Sequence, residues 1–446
     1  MRSTAGADWT RFGYDASRSS DDPNPTGITA ANVGSLVPQQ VQLPGTVDGA
    51  ALYLENVVVE GSSHDALFVT TSYGITLALD AQTGSILWQY TPPSYAALAG
   101  GRKITTATPV VGQSRDWIYA ASPDGMIQKL SVADGSVAWR VSITRLPSRE
   151  KISSSLNFVK GHVIATTSSF EDAAPYQGHV AIISPSGHLV DVWNALCSNR
   201  TGLLVPSSCA ASDAGIWGRA GAVAVPGSGD LLVSTGNGPY DGSINWGDSV
   251  LELSPTGTPL ANYTPTNTAR LYDKDLDLGS SSPVYLTSTV IAQGGKDRRI
   301  RLLSLPRMRG SAPHEGHELQ KLWAPHKSQL FTAPAVWREN GQVWLIAAAR
   351  GGTEAWVLQR NHLHSVWQNL NPGTSPVIAG GLLYVYDPLG GGLRVYTPAD
   401  GNLVATLTAG TGHWNSPIVS DGFVVEPEGN ANAHVTSGVL DIWRLP

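Results

Sequence analysis

The hydrophobic pattern of the chain is dominated by alternation with a period of two. In the stretch LALDAQTGSILW (Leu77–Trp88), apolar residues alternate up to Asp80, Gly84 falls in a tight turn, and Ile86 resumes the alternation. Such alternation predicts two β-strands, and the Asp and Gly positions predict the turn between them. One hairpin cannot bury a Trp, so the pattern indicates that neighbouring copies cover one another.

Two markers recur along the chain and indicate a repeated unit. Further copies of the hairpin lie at Lys129–Trp139, Ile182–Trp193, Leu251–Asn262, Leu302–Trp323, Trp356–Trp367 and Leu393–Ala405. Pro is tolerated at the first residue of a strand, so the second marker, a small residue and Pro followed by aliphatic residues, predicts the start of an innermost strand. Its copies begin at Ala107, Ser281, Thr332, Thr374 and Asn415.

The two ends of the chain are predicted to complete one unit between them. A unit starting at Asn415 lacks its last strand, whereas the segment 32–44 is a strand candidate without a hairpin partner. Joining them closes the ring and removes exposed sheet edges. We therefore expect an all-β, eight-bladed β-propeller of four-stranded antiparallel blades, forming one domain over residues 1–446, with seven blades as the alternative.

The composition agrees with many short strands joined by turns. The 446 residues include 48 Gly, 29 Pro and 14 Trp, while charged residues make up only 14%. A net charge of −6 without a basic run argues against a nucleic-acid partner. No segment has the apolar length of a membrane span, and the first five residues do not read as a signal peptide, so we expect a mature chain with an added start. We expect a monomer.

The two cysteines bear on the cellular compartment. Cys197 and Cys209 flank a loop that contains Gly and Pro, so we expect a disulfide that closes this loop. A disulfide indicates an oxidising compartment, which makes the protein secreted or periplasmic. The alternative is a pair of unrelated free thiols.

The repeated A-x-D-x-x-T-G-x-x-x-W hairpin resembles the tryptophan-docking motif of the eight-bladed propellers that bind pyrroloquinoline quinone (PQQ). The opening segment WTRFGYDASRSSDDPNPTGITAANVGSL (Trp9–Leu36) is also similar to the start of the alcohol dehydrogenases in that family. The resemblance implies a quinone on the propeller axis above a Trp, with calcium or a lanthanide held by Glu, Asn and Asp. It implies oxidation of an alcohol or polyol.

The family's pocket residues can be matched to this sequence one at a time. SSFEDAAPYQGHVAIIS resembles the segment that bears the metal-binding Glu, which implies Glu171, and the T-G-N segment implies Asn237 as a second ligand. The resemblance further implies Trp217 as the stacking Trp, Lys296 in QGGKDRRIRLLS as the cation near the quinone, and Arg102 as a partner of a quinone carboxylate. The segment DKDLDLGSSSPVY, just before Lys296, looks like the family's D-x-D-F-G-x-x-P.

Two departures concern the catalytic base. Leu253, in LELSPTG, stands where the resemblance places the family's Asp, and the vicinal Cys-Cys pair is missing. Asp248 is the candidate for a displaced metal ligand or base, because strand alternation points Glu252 to the face opposite Leu253. His413, at the start of an innermost strand, is a candidate acid or base.

These residue types suit the chemistry. Carboxylate and amide oxygens bind calcium, a carboxylate or His can take a hydroxyl proton, and a cation stabilises charge that develops on a carbonyl oxygen. Glu171, Asn237 and Lys296 share one position in their repeats, the turn between the second and third strands. The same position carries Asp124, Arg350, Asp387 and Glu428 in other blades.

Three functional hypotheses follow. The first is a secreted quinoprotein-like oxidoreductase that acts on a small or polymeric alcohol through calcium-bound PQQ. The second is a propeller lyase or hydrolase that acts on a polysaccharide, with rim carboxylates and His413 as acid and base. The third is a non-catalytic binding or scaffold propeller with a relic pocket, since fold alone does not decide function.

Overall fold

Eight four-stranded antiparallel sheets follow one another along the chain and form an eight-bladed β-propeller. The structure, a computed structural model, describes residues 8–446, so the predicted start of the chain lies outside the described residues. Among the described residues, no helix is long and apolar enough to cross a membrane.

The first half of the ring contains blades 1 to 4. Two strands precede blade 1, blades 1 and 2 each contain four consecutive strands, and a two-stranded sheet of β11 and β14 accompanies blade 3. The strands are β1 (Asp21–Asp22), β2 (Val37–Leu43), β3 (Leu52–Val59), β4 (Ser62–Thr70), β5 (Thr76–Asp80), β6 (Ile86–Tyr90), β7 (Val110–Val111), β8 (Trp117–Ser122), β9 (Met126–Ser131), β10 (Val137–Ser142), β11 (Glu150–Lys151), β12 (Asn157–Val159), β13 (His162–Thr166), β14 (Ser168–Ser169), β15 (His179–Ile183), β16 (Leu189–Asn194), β17 (Val223–Ala224), β18 (Leu231–Ser234), β19 (Val250–Leu253) and β20 (Pro259–Tyr263).

The second half contains blades 5 to 8 and, like the first, has little helix. Its strands are β21 (Val284–Thr287), β22 (Val290–Gly294), β23 (Arg299–Ser304), β24 (Gln320–Trp323), β25 (Ala335–Glu339), β26 (Gln342–Ala349), β27 (Gly352–Gln359), β28 (His362–Asn369), β29 (Val377–Ala379), β30 (Leu382–Asp387), β31 (Gly392–Tyr396), β32 (Leu403–Leu407), β33 (Ile418–Ser420), β34 (Phe423–Glu428) and β35 (Gly438–Arg444). The helices are α1 (Tyr95–Leu98), α2 (Thr268–Asp273) and α3 (Leu305–Met308), with 3-10 turns at Val33–Ser35, Pro206–Ser208, Leu278–Ser280, Pro325–Lys327 and Ala431–Ala433.

The N-terminal strand closes the ring in blade 8. Strand β2 pairs antiparallel with β35, from Val37 opposite Arg444 to Leu43 opposite Gly438. The predicted closure and the count of eight blades are therefore confirmed, and the seven-blade alternative is wrong. Strand β1, which the repeat pattern did not predict, adds a parallel fifth strand to the sheet of β29.

The repeated Trp joins neighbouring blades. Trp88 Nε1 donates to the carbonyl oxygen of Val132 in the next blade at 2.9 Å, and a Cβ on Gly135 would approach the Trp88 ring to 2.7 Å. Asp80 instead acts within its own blade, where it accepts from the backbone N–H of Thr83 at 2.7 Å. The motif is thus an architectural element, with Trp between blades and Asp inside one hairpin.

Candidate functional site

Loops from several blades meet around one cavity of about 390 Å³. Some of these loops join the second and third strands of a blade, and others lead into an innermost strand. Six of the seven predicted catalytic, cofactor and metal residues line this cavity, which we call the axial cavity: Arg102, Glu171, Trp217, Asn237, Lys296 and His413.

Lys296 has a rigidly held ammonium group in the axial cavity. Its Nζ lies 2.8 Å from a carboxylate oxygen of Asp275 and 2.8 Å from one of Asp277, and 5.2 Å from the centroid of the Trp217 ring. Burial is the largest single influence and would lower the pKa of Lys296, but the charges and hydrogen bonds of Asp277 and Asp275 together outweigh it and the pKa is raised. The side chain therefore carries a fixed positive charge beside an aromatic face.

Asp277 is a functional candidate that the sequence analysis did not select. It lines the axial cavity and is 3% exposed, and its second oxygen accepts the backbone N–H of Asn237 at 2.7 Å. Burial raises the pKa of Asp277, while Lys296 opposes the shift. A buried carboxylate with a raised pKa in a cavity is a candidate general base. The sequence could have indicated this residue, because Asp277 lies in the segment DKDLDLG, which resembles the family's D-x-D-F-G.

Two further cations line the cavity and were also missed. Among the described residues, Lys151 Nζ has no carboxylate within ion-pair distance, and burial lowers the pKa of Lys151 to about 8. Arg219 donates to the carbonyl oxygens of Asp48 at 2.6 Å and Thr106 at 3.2 Å, and its Nε has no partner within residues 8–446. Arg219 is buried and Lys151 is half-buried. Cations removed from water without a carboxylate partner are costly, so this pair indicates a site for an anionic ligand.

An aromatic wall crosses one side of the axial cavity. The ring centroids of Trp217 and Phe331 are 6.0 Å apart, and those of Phe331 and Trp414 are 5.2 Å apart. The ring centroids of Trp414 and His413 are 4.5 Å apart, and Nδ1 of His413 lies 2.8 Å from a carboxylate oxygen of Asp48. Asp48 fixes the orientation of the His413 ring.

The predicted metal ligands have different surroundings. The Glu171 carboxylate lies 3.2 Å from the Arg102 guanidinium, and the two side chains are 60% and 78% exposed. Within residues 8–446, no group of three or more His, Cys, Asp or Glu side chains is arranged to hold a metal ion. The calcium site at Glu171, Asn237 and Asp248 stays a prediction.

Asp248 lies outside the lining of the axial cavity. It is fully buried, and one carboxylate oxygen accepts the backbone N–H of Leu278 at 2.8 Å. The other oxygen has no hydrogen-bond partner in the described part of the chain. Burial raises the pKa of Asp248 to about 8, so the carboxyl is largely protonated at neutral pH. Its role as a base or metal ligand stays a prediction, and the cavity offers Asp277 in its place.

Replacing Asp248 with Asn should stabilise the protein at alkaline pH. The folded state keeps the proton up to about pH 8, whereas the unfolded state loses it near pH 4, so this group lowers stability as the pH rises between about 4 and about 8. Asp248→Asn removes this loss and should raise Tm most above pH 8. Thermal unfolding at pH 5 and pH 9 measures the difference, and a variant that loses activity without this gain would instead support the predicted catalytic or metal role.

The disulfide supports the loop that carries Asn237. Cys197 and Cys209 are bonded, as predicted, and the chain after them packs back on that loop. The backbone N–H of Ala214 donates to the carbonyl oxygen of Asn237 at 2.7 Å. The backbone N–H of Gly236 donates to the carbonyl oxygen of Gly215 at 2.7 Å. The cross-link thus limits the movement of one wall of the cavity.

Replacing both cysteines with Ser should destabilise the protein by about 2–3 kcal/mol, because the unfolded chain regains the freedom of the closed loop. Denaturant unfolding of Cys197→Ser/Cys209→Ser measures the change. The loop around Asn237 should also gain amide exchange, whereas the hairpin of blade 1 should not. Equal stability of the two proteins would contradict a structural role for the bond.

Comparisons with known proteins agree with this architecture. A family model described as outer membrane protein assembly factor BamB, of the PQQ-repeat type, matches residues 36–203. No curated protein matches the chain. The solved structure of quinohemoprotein alcohol dehydrogenase from Comamonas testosteroni is similar over 99% of this chain and 82% of its own, with a TM-score of 0.69 and 17% identity.

Two other solved structures give the same result. Quinohemoprotein alcohol dehydrogenase ADHIIG from Pseudomonas putida HK5 is similar over 99% of this chain and 80% of its own, with a TM-score of 0.73 and 13% identity. A europium-containing methanol dehydrogenase is similar over 99% of both chains, with a TM-score of 0.71 and 14% identity. At these identities the likeness concerns the fold, and the resemblance to PQQ-type propellers is confirmed at that level.

Proposed function

We propose that the protein is a quinoprotein-like oxidoreductase whose axial cavity binds a planar, anionic quinone of the PQQ type and oxidises an alcohol. The observation that carries this proposal is the pair of cations without carboxylate partners, Lys151 and Arg219, in a cavity with a Trp face. The similarity of the fold to quinohemoprotein alcohol dehydrogenases supports the same ligand class.

The residues present fit such a quinone. An aromatic ring with several carboxylates presents a flat face and negative charge, which match Trp217 and the cations Lys151, Arg219 and Arg102. The ligand would give Arg219 Nε and Lys151 Nζ the partners that residues 8–446 do not supply. A cavity of about 390 Å³ has the size expected for a small cofactor.

The residues present do not offer calcium a comparable site. Calcium takes about six to eight oxygen ligands, while Glu171 is paired with Arg102 and Asp277 with Lys296. We propose that the ammonium of Lys296 supplies the positive charge that a metal ion would otherwise provide. Quinone affinity should therefore be the same with calcium and with a chelator.

The chain's own groups then have separate tasks. When bound, the quinone would supply the two-electron oxidant. Asp277 takes the hydroxyl proton of the substrate, because it is buried, lines the cavity and contacts Lys296, whose charge favours the ionised carboxylate. Lys296 stabilises negative charge beside Trp217, and His413, held by Asp48, is placed to exchange a proton at the aromatic wall.

Dye reduction by the reconstituted protein tests this function. The purified chain is mixed with PQQ, an artificial electron acceptor and a panel of alcohols, with and without calcium. We expect alcohol-dependent dye reduction that requires the quinone and resists chelation. Reduction only with calcium would support the metal site of Glu171, Asn237 and Asp248 instead.

A non-catalytic scaffold is the second candidate, because the family model that matches residues 36–203 is described as an assembly factor. Under that function the chain binds no quinone and reduces no dye. The disulfide supports an extracytoplasmic location for either function, since such bonds persist in oxidising compartments.

A further inference from the structure

A second cavity of about 640 Å³ adjoins the axial cavity. The two cavities share three lining residues, Phe331, His413 and Trp414, so they lie on the two sides of the aromatic wall. The loops of blades 5 to 8 supply the rest of its lining. We call it the side compartment.

The charged side chains that line the side compartment are all positive. Arg298, Lys327 and Arg350 line it, and no Asp or Glu is among the lining residues that the structure describes. None of these three cations forms an ion pair with a carboxylate of the described residues, whereas other rim groups do: Asp124 pairs with Arg140 and Asp387 with Arg394. Three unpaired cations on a chain of net charge −6 indicate a local site for an anion.

The remaining lining combines bare backbone with an unpartnered hydroxyl. Thr374 is 1% exposed, and its Oγ1 has no hydrogen-bond partner among residues 8–446. A Cβ on Gly351 or Gly412 would collide with neighbouring side chains, so the backbone stays uncovered there. Buried polar atoms are normally paired, so Thr374 indicates that a polar ligand completes this wall.

We propose that the side compartment binds a hydroxylated carboxylate of the sugar-acid class, with its carboxylate on Arg298, Lys327 and Arg350. The substrate's hydroxyl-bearing end then lies against Phe331 and Trp414, beside the axial cavity. The binding step stands on the compartment alone, and only the role of this ligand as the oxidised alcohol rests on the proposed function.

Size and lining favour an organic anion over a simple oxyanion. A compartment of about 640 Å³ is far larger than a sulfate or phosphate ion needs. Its other walls include Pro372, Pro388 and Leu389, and together with the aromatic wall they offer apolar faces to the C–H groups of a sugar ring. A neutral sugar would leave the three cations unpaired.

Calorimetric titration without quinone tests the binding step separately from the oxidation. Galacturonate, galactose and inorganic sulfate are titrated into the whole chain at low and moderate salt. We expect galacturonate to bind, galactose to bind at least tenfold more weakly, and sulfate to compete only weakly. Galacturonate affinity should fall with salt, because exposed charges are screened.

Arg350→Gln and Lys327→Gln should each weaken galacturonate binding by about tenfold, since each removes one charged contact worth about 1.5 kcal/mol. Arg360→Gln is the matched control, because Arg360 is also exposed but lines neither cavity. All three positions are on the surface, and circular dichroism checks that the variants fold.

Equal affinity for galacturonate and galactose, or equal affinity of Arg350→Gln and Arg360→Gln, would overturn the proposal. Sulfate binding as tight as galacturonate binding would show that the compartment is a simple oxyanion site. That result would also overturn the proposal. If galacturonate binds but is not oxidised with quinone present, the compartment is upheld and the proposed function fails.

Discussion

Asp277→Asn should lower quinone-dependent alcohol oxidation by about a hundred- to ten-thousandfold, the usual contribution of a general base. The Asn side chain keeps an acceptor for the backbone N–H of Asn237, which Asp277 binds at 2.7 Å, so the loop should keep its position. Quinone affinity should change only a fewfold. Steady-state dye reduction and a quinone titration on the same preparation measure the two quantities.

Asp275→Asn is the control for this variant. Asp275 also contacts Lys296 at 2.8 Å, but its side chain is 61% exposed. Removing it takes away one negative charge near Lys296 without removing the base. If the two variants lose the same activity, Asp277 acts only through the charge of Lys296 and the assignment of the base is wrong.

Lys151→Met should move stability and quinone affinity in opposite directions. The folded chain must hold an ammonium that has no carboxylate partner among the described residues, and its pKa falls to about 8. Met removes this unfavourable charge and should raise the Tm of the protein without quinone. It also removes a charged contact with the quinone, which should weaken binding by about tenfold.

The gain in Tm has a defined pH dependence. Because the pKa of Lys151 lies below that of the unfolded chain, near 10.5, the folded state binds fewer protons between about pH 8 and about pH 10.5 and gains stability there. The advantage of Met should thus be largest below pH 8 and fade as the pH rises. Lys103→Met, next to Arg102 but outside the cavity lining, is the control. Unchanged quinone affinity in Lys151→Met would contradict its role.

The ring could be predicted from the sequence because each blade repeats its pattern locally. Leu77–Trp88 contains both strands and the turn of one hairpin, and Trp88 carries its own contact to the next blade. The closure by β2 was predicted by joining the incomplete last unit to the unpaired N-terminal strand, although the repeat count alone left seven blades as an alternative. The parallel strand β1 has only two residues and no periodicity, so no pattern could predict it.

The axial cavity was only partly predictable. The resemblance selected Glu171, Asn237 and Lys296. Their shared position in the repeat predicted that they lie on one rim. Lys151 and Arg219 lie in segments that lead into innermost strands, and their burial depends on the blades around them. Such a tertiary environment leaves no trace in periodicity.

Asp248 shows why the assignment of the base could not be derived from strand alternation. Its φ of 48° is left-handed, and its backbone N–H donates to Gly236 across the loop at 2.8 Å. Alternation applies to extended backbone, so it does not give the direction of this side chain. The carboxylate of Asp248 accepts the backbone N–H of Leu278 outside the axial cavity, whereas Asp277 lines the cavity.

Equilibrium titration of the purified chain with PQQ, followed by tryptophan fluorescence in the presence of a chelator, tests the central claim most directly. Trp217 lies in the axial cavity, so a bound quinone should quench it. We predict saturable binding of one quinone per chain, with a Kd in the micromolar range or below and a weaker Kd for Lys151→Met. No saturable binding at millimolar quinone, with the protein folded, would contradict the account.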